Sequence, residues 1–164
     1  MMKKFLCSIF AFLLITTGIY AGWDEGVAAF QTGDYKKAVV EFKEVVKLNP
    51  DGYDGHYMLG LSLEAVGDKD AALTHLRKAY DLNPNDLSIK VALGRAFYAK
   101  ADYEKAIKIL TKSAKDDPIN AEVQSFLGFS YLKMGDKKLA EAHLRKAYDL
   151  NPNDLSVKKA LKRF

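Results

Sequence analysis

Residues 53–86 read YDGHYMLGLSLEAVGDKDAALTHLRKAYDLNPND, and Pro84, near the end of this stretch, is one of four prolines in the chain. The others are Pro50, Pro118 and Pro152, so neighbouring prolines always stand 34 residues apart. Chance does not space every proline of a chain in this way. A fixed period of roughly 20–50 residues marks a repeat array, and this one has the length of a helix–turn–helix unit. Such arrays build extended concave surfaces rather than buried catalytic clefts.

Counted back from Pro84, the unit carries Leu59-Gly60, Leu63, Gly67-Asp68, Ala72, Leu76, Ala79 and Leu82. The same offsets from Pro152 give Leu127-Gly128, Tyr131, Gly135-Asp136, Ala140, Leu144, Ala147 and Leu150. From Pro118 they give Leu93-Gly94, Phe97, Ala101-Asp102, Ala106 and Leu110, and from Pro50 Gly26, Ala29, Gly33-Asp34, Ala38, Phe42, Val45 and Leu48. Apolar residues recur at helical spacing in both halves of each unit, which predicts two amphipathic helices per unit. Small residues twelve positions apart, such as Gly60 and Ala72 or Gly128 and Ala140, are expected to face each other where the two helices approach. Gly67-Asp68 supplies a residue tolerant of left-handed geometry and then an N-cap carboxylate. Asn83-Pro84-Asn85-Asp86 stops the second helix, because proline restricts the residue before it. Paired helices are therefore predicted near 23–32 and 35–48, 53–66 and 69–82, 87–100 and 103–115, and 121–134 and 137–150, with a ninth near 155–163.

With these residues in register, the chain resembles the tetratricopeptide repeat (TPR) family, whose pattern runs W-x2-L-G-x2-Y, then A-x3-F, then P. The resemblance covers residues 22–164 and implies an all-α fold: a right-handed TPR α-solenoid of four helix–turn–helix repeats. The repeats fall near 22–52, 53–86, 87–120 and 121–154, followed by a capping helix over 155–164.

Three departures from the pattern stand out. Ala101 replaces the turn glycine, and Asp116 replaces the leucine seen at 48, 82 and 150, so the second helix of the third unit is expected to end early. Glu25 stands where the other units have leucine. A longer period overlies the first, since HLRKAYDLNPNDLS occurs at 75–88 and again at 143–156. Beyond that shared stretch Val91 and Gly94 become Lys159 and Lys162. Lysine is at home on a last helix with no following partner, which seals a solenoid with a polar face.

Residues 1–21 lie outside the repeat. Lys3 and Lys4 precede an apolar run from Phe5 to Ile15 and a small-residue segment ending at Ala21, the layout of a signal peptide. An uncleaved N-terminal membrane anchor is the alternative. Both readings take the repeats out of the cytosol, to the periplasm or cell envelope, secreted or anchored facing outward. The single cysteine, Cys7, precedes most of the apolar run, which argues against a lipoprotein and leaves the repeats without thiol chemistry. The formal charge of +4 includes Lys3 and Lys4, so the repeats themselves are far less basic than a dedicated nucleic-acid binder, and no nucleic-acid partner is expected. Lys158, Lys159, Lys162 and Arg163 cluster at the C-terminal helix, where cations suit the helix dipole.

No catalytic residues, metal ligands or cofactor site are expected. His56, His75 and His143 come with no CxxC, HExxH or converging carboxylates. There is no GxxxxGK[ST], GxGxxG or GxSxG, and the chain reads as non-enzymatic.

The resemblance implies that the first helix of each unit lines a concave face on which the family binds peptides or protein segments. Matching offsets put Trp23, Val27 and Phe30; Tyr57, Leu61 and Glu64; Val91, Arg95 and Tyr98; and Ser125, Phe129 and Leu132 there. The candidate partner-binding groove is Trp23, Val27, Phe30, Tyr57, Leu61, Arg95, Tyr98, Phe129 and Leu132, and the partner expected is a protein or peptide segment. The lysine, asparagine and arginine set by which TPR clamps hold acidic chaperone tails is missing, since the matching places carry Trp23, Val27, Met58, Ser88 and Ala92. The expectation is thus an envelope scaffold or adaptor. Its rivals are a self-associating structural subunit, forming a homo-oligomer, and an accessory subunit of an envelope enzyme or export machine.

Overall fold

Asp34, Asp68, Asp102 and Asp136, spaced by the repeat period, each accept a hydrogen bond from the backbone N–H three residues on. In the computed structural model, which describes residues 21–164, each aspartate thereby satisfies a donor that the first helical turn leaves open. The helices follow in order: α1 (helical over 21–31 of the described residues), α2 (Tyr35–Leu48), α3 (Tyr53–Val66), α4 (Lys69–Leu82), α5 (Leu87–Ala99), α6 (Tyr103–Asp116), α7 (Ala121–Met134), α8 (Lys137–Leu150) and α9 (Leu155–Leu161). No strand occurs among the described residues. The leader reading falls on residues 1–20, outside the described residues, with Ala21 opening the described helix.

Contacts divide the chain into two compact units, one ending at Leu82 and the other running Asn83–Phe164. In the first, α2 packs on α3 and α3 on α4. In the second, successive helices from α5 to α9 pack on one another, and α5 also meets α7.

Each helical pair closes over a glycine, but the partner is not the alanine twelve residues on. A Cβ built on Gly60 would lie 2.7 Å from Leu76 Cγ, and one on Gly128 would lie 2.6 Å from Leu144 Cγ. Gly26 and Gly94 meet Phe42 and Leu110 in the same way. The offset is sixteen residues in all four repeats, and the four side chains have no exposed surface. The reason is reach: a leucine or phenylalanine fills the slot over a glycine, which an alanine is too short to do. Ala38, Ala72, Ala106 and Ala140 are also buried, as part of the core around the contact.

The first helices follow the same logic. Leu59, Leu93 and Leu127 are buried, whereas Glu25 at the matching place reaches out to Lys37 of α2 at 3.3 Å. Trp23 covers that end instead, its ring edge-on to Phe42 with centroids 5.6 Å apart. On α9, Lys159 and Lys162 are exposed.

Gly33, Gly67 and Gly135 end α1, α3 and α7 at φ +81°, +91° and +86°. Ala101 takes the same left-handed turn at φ 60°, alone in this among the described non-glycine residues. A Cβ on any of the three turn glycines would meet no atom within 4 Å. The alanine's cost is therefore one of backbone conformation, about 1–2 kcal/mol.

The early end expected of α6 does not occur. It spans 14 residues, as do α2, α4 and α8. Asp116 instead answers a buried charge. Lys90 on α5 is 6% exposed, and its Nζ meets Asp116 Oδ2 at 2.5 Å. In the second and fourth repeats the place of Lys90 is held by His56 and Gln124, which bond to His75 and His143. In the third repeat the place of those two histidines is Ile109. Three changes thus belong together: a lysine at the buried polar position, an isoleucine in place of its partner, and an aspartate at the helix end to neutralise it.

Two outcomes follow from this packing. Ala101→Gly is expected to raise unfolding stability by about 0.5–1 kcal/mol, the relief of backbone strain less the added freedom of the unfolded chain; urea denaturation reads it directly. Asp116→Leu strands a buried ammonium and should destabilise by about 1–3 kcal/mol, less than for a fully buried pair because Asp116 is half-exposed. In the triple variant Lys90→Gln, Ile109→His, Asp116→Leu, which transplants the fourth repeat's set, the urea midpoint should return towards wild type.

Candidate functional site

Residues three or four apart on a helix share a face. On α7 this aligns Glu122, Ser125 or Phe126, Phe129 and Leu132, and on α5 Val91, Arg95 and Tyr98. The nine candidate groove residues are all partly exposed: none is buried in the core and none stands fully in water. Glu64 is likewise intermediate, whereas Val91 and Ser125 are buried at 7% and 5% exposure and offer little to a ligand.

In the first unit, Trp23, Val27 and Phe30 pack against the core formed by Ala29, Ala38, Phe42, Leu59 and Leu63. Phe30 also meets Tyr35 edge-on, with centroids 5.2 Å apart. These three therefore serve the fold while showing one side to solvent. Tyr57 and Leu61 lie on α3 and are likewise partly exposed.

The second unit gathers a larger patch. Tyr98 contacts Phe126, Phe129 and Tyr103 at centroid distances of 5.4, 6.3 and 5.6 Å. Phe126 and Phe129 meet edge-on at 6.3 Å. Tilted and edge-on geometries of this kind suit the ring quadrupoles. Beside the rings, an Arg95 Nη1–H donates to Glu122 Oε1 at 2.8 Å, joining α5 to α7. Both side chains are partly exposed, so the pair contributes at most about 1 kcal/mol; its larger effect is to fix the guanidinium next to the rings. Phe129 seats its inner side on the cluster of Leu144, Ala147, Val157 and Ala160.

A cleft of about 220 Å³ opens below Phe129, between α7, the end of α8 and the start of α9. Its walls include Glu122, Phe126, Phe129, Asn151 and Asp154. Sequence reasoning passed over Phe126 and Glu122. The signal for Phe126 was present, since it stands three residues before Phe129 on one helical face.

Each histidine is engaged within the fold. His56 and His75 stack with centroids 5.2 Å apart, and His143 stacks on Tyr131 at 5.5 Å. Among the described residues no three or more His, Cys, Asp or Glu side chains are placed to hold a metal ion. No helix among them is long and apolar enough to cross a membrane.

Burial, and then the neighbouring Tyr103, push the Tyr98 phenol above the usual 10.0. A phenol held neutral by the fold contributes stability that is present below its ordinary pKa and lost as pH rises through the raised one. Wild type should therefore lose stability between about pH 9 and 11, and Tyr98→Phe should flatten that loss. Urea midpoints across the range decide it.

Two family models, each described as tetratricopeptide repeat, match the chain, one over residues 63–128 and 97–164 and the other over 24–86. Solved structures share the fold. YrrB, a TPR protein with an unusual peptide-binding site, superposes with a TM-score of 0.81 at 24% identity, over 88% of this chain and 74% of that one. MamA 41-end from Desulfovibrio magneticus RS-1 gives 0.81 at 21% identity over 88% and 81%. A further crystal structure of MamA gives 0.79 at 22% identity over 88% and 79%. A comparison with curated protein sequences finds no match.

Proposed function

The chain belongs to the tetratricopeptide repeat family, and from that premise we propose that it is a non-enzymatic scaffold of the cell envelope that holds an apolar segment of a partner protein on its first-helix faces. The observation that carries the proposal is the partly exposed patch of Tyr98, Phe126 and Phe129. Phe129 is supported from behind by the core and the three rings support one another from the side, so the patch is held in place before any partner arrives. Anchors that lose little freedom on binding give more affinity for the same area. The adjacent Arg95–Glu122 pair gives the patch a polar rim, the usual surround of an aromatic anchor. Trp23, Val27, Phe30, Tyr57 and Leu61 offer a second, smaller apolar face in the first unit. That YrrB is a peptide-binding TPR protein supports the reading. The envelope assignment rests on Lys3, Lys4 and the apolar run after them.

The test is a photo-crosslinker at position 129 in the native cell, with a control at Lys138 on the exposed side of α8. One protein species captured at 129 and not at 138, and released at least about tenfold more readily by a Tyr98→Glu background, is the expected result. Equal capture at both positions, or none at 129, overturns it. Capture of a second copy of this chain would replace the adaptor with self-assembly. Circular dichroism of Tyr98→Glu separates lost binding from lost folding.

A further inference from the structure

Helices α4 and α8 and the turns after them share the sequence HLRKAYDLNPNDLS, yet the histidine that opens this stretch faces different partners. In the first unit His75 Nδ1 lies 3.0 Å from His56 Nδ1. In the second, His143 Nδ1 lies 2.8 Å from Gln124 Oε1. The rest of the arrangement is the same in the two: His56 Nε2 reaches the Pro50 carbonyl at 3.1 Å, and Gln124 Nε2 the Pro118 carbonyl at 3.3 Å.

These contacts fix the protons. A carbonyl oxygen only accepts, so His56 Nε2 carries the hydrogen and a neutral His56 presents a bare Nδ1. His75 must then donate from its own Nδ1. A proton added to the outer nitrogen of His75 leaves this bond intact. A second proton would have to sit on His56 Nδ1 and set two N–H groups against each other at hydrogen-bond distance, at a position 6% exposed. Gln124 takes no proton, so His143 protonates on its outer nitrogen with no such clash.

We infer that the His56–His75 contact is an acid-sensitive joint, which loosens the α3–α4 packing as pH falls through the histidine range, and that the α7–α8 packing lacks it. Protonating both rings breaks this contact in the folded chain and nothing comparable in the unfolded one, so stability drops as the pH is lowered. The surroundings add to the effect. Burial, then His56, then Lys43 of α2 lower the His75 pKa below its usual 6.5. That part of the stability is present above the usual value and fades as pH drops through the lowered one. In the loop carrying Pro50, Asp51 is already paired with Lys78 of α4 at 3.8 Å and is half-committed as a counter-charge. His143 is lowered too, by burial and by Lys146, so both units share a background and differ by one excluded proton. Tyr57 and Leu61 follow His56 on α3; if the scaffold reading above is right, acid also alters that face.

Amide hydrogen exchange of the full chain tests the joint with an internal control. The shared fourteen residues have the same intrinsic exchange rates, and peptides extending past them distinguish the copies. Between about pH 7.5 and 5, protection of α3–α4 should fall about tenfold more than that of α7–α8, one proton's worth over one pH unit of the histidine range. His56→Gln should remove the excess, and Gln124→His should create it in the second unit. Equal falls in both units, or an excess that survives His56→Gln, overturns the inference. If His56→Gln fails to fold, Gln124→His decides alone: no new acid sensitivity in α7–α8 sinks the idea. No partner takes part in the measurement, so its failure is distinct from failure of the scaffold reading.

Discussion

The seat of a large apolar side chain over a glycine sixteen residues earlier is the contact on which the rest of this structure depends. With Leu76 against Gly60 and Leu144 against Gly128, the two helices of a pair come closer than any side chain at the glycine position would permit. In the second and fourth pairs the tolerance is small because backbone is involved as well: a Cβ on Gly128 would stand 3.1 Å from the Leu144 nitrogen. Once the slot is filled, the remaining positions are set. The residue just before the glycine is driven into the core, as Leu59 and Leu127 are, and so are Leu63 and Val123 on the same side of their helices. The groove candidates, one residue after the glycine or three before and four after it, are left at the margin. Interiors packed to native density allow no gradual retreat from such a seat.

Around this constant framework one inner position is free to vary. His56, Lys90 and Gln124 occupy the same place in successive repeats and are all buried, and each finds a different partner. A buried polar group without a partner costs more than most single contacts give, so the variation has to be matched, residue for residue, on the next helix. The matching explains Asp116, which the repeat pattern alone presents as a defect. It also explains how two copies of one fourteen-residue segment behave differently: the segment is shared, but the side chain facing it is not.

Much of this was legible in the sequence because each signal was local and repeated. The proline spacing gave the period, the aspartates gave the starts of the second helices, and Gly33, Gly67 and Gly135 marked left-handed turns that include Ala101 in their series. The glycine's partner was misread because small residues at a matching interval look complementary. Only three-dimensional reach shows that a leucine one turn further on takes the slot. The length of α6 was misjudged for a similar reason, since Asp116 answers to Lys90, 26 residues away. For the candidate site, helical spacing identified residues at the margin of the core, and all nine are partly exposed. Spacing does not show that Trp23, Phe30 and Phe129 all lean on the core, nor that Tyr98 and Phe129 also gather into a patch with Phe126.

That difference bears on where recognition would reside. A ring that leans inward contributes its area to folding and has only an edge left for a partner. The rings of the second unit brace one another as well, and Tyr98, Phe126 and Phe129 each stay partly exposed. Arg95 adds direction. Its bond to Glu122 keeps a planar cation beside the rings, and a guanidinium held in plane suits a backbone carbonyl or carboxylate on an arriving segment better than a freely rotating lysine would. On the scaffold reading proposed above, a patch of this construction would discriminate by shape and by one polar contact at its edge rather than by net charge. It would favour an apolar segment with a single well-placed acceptor over an acidic tail.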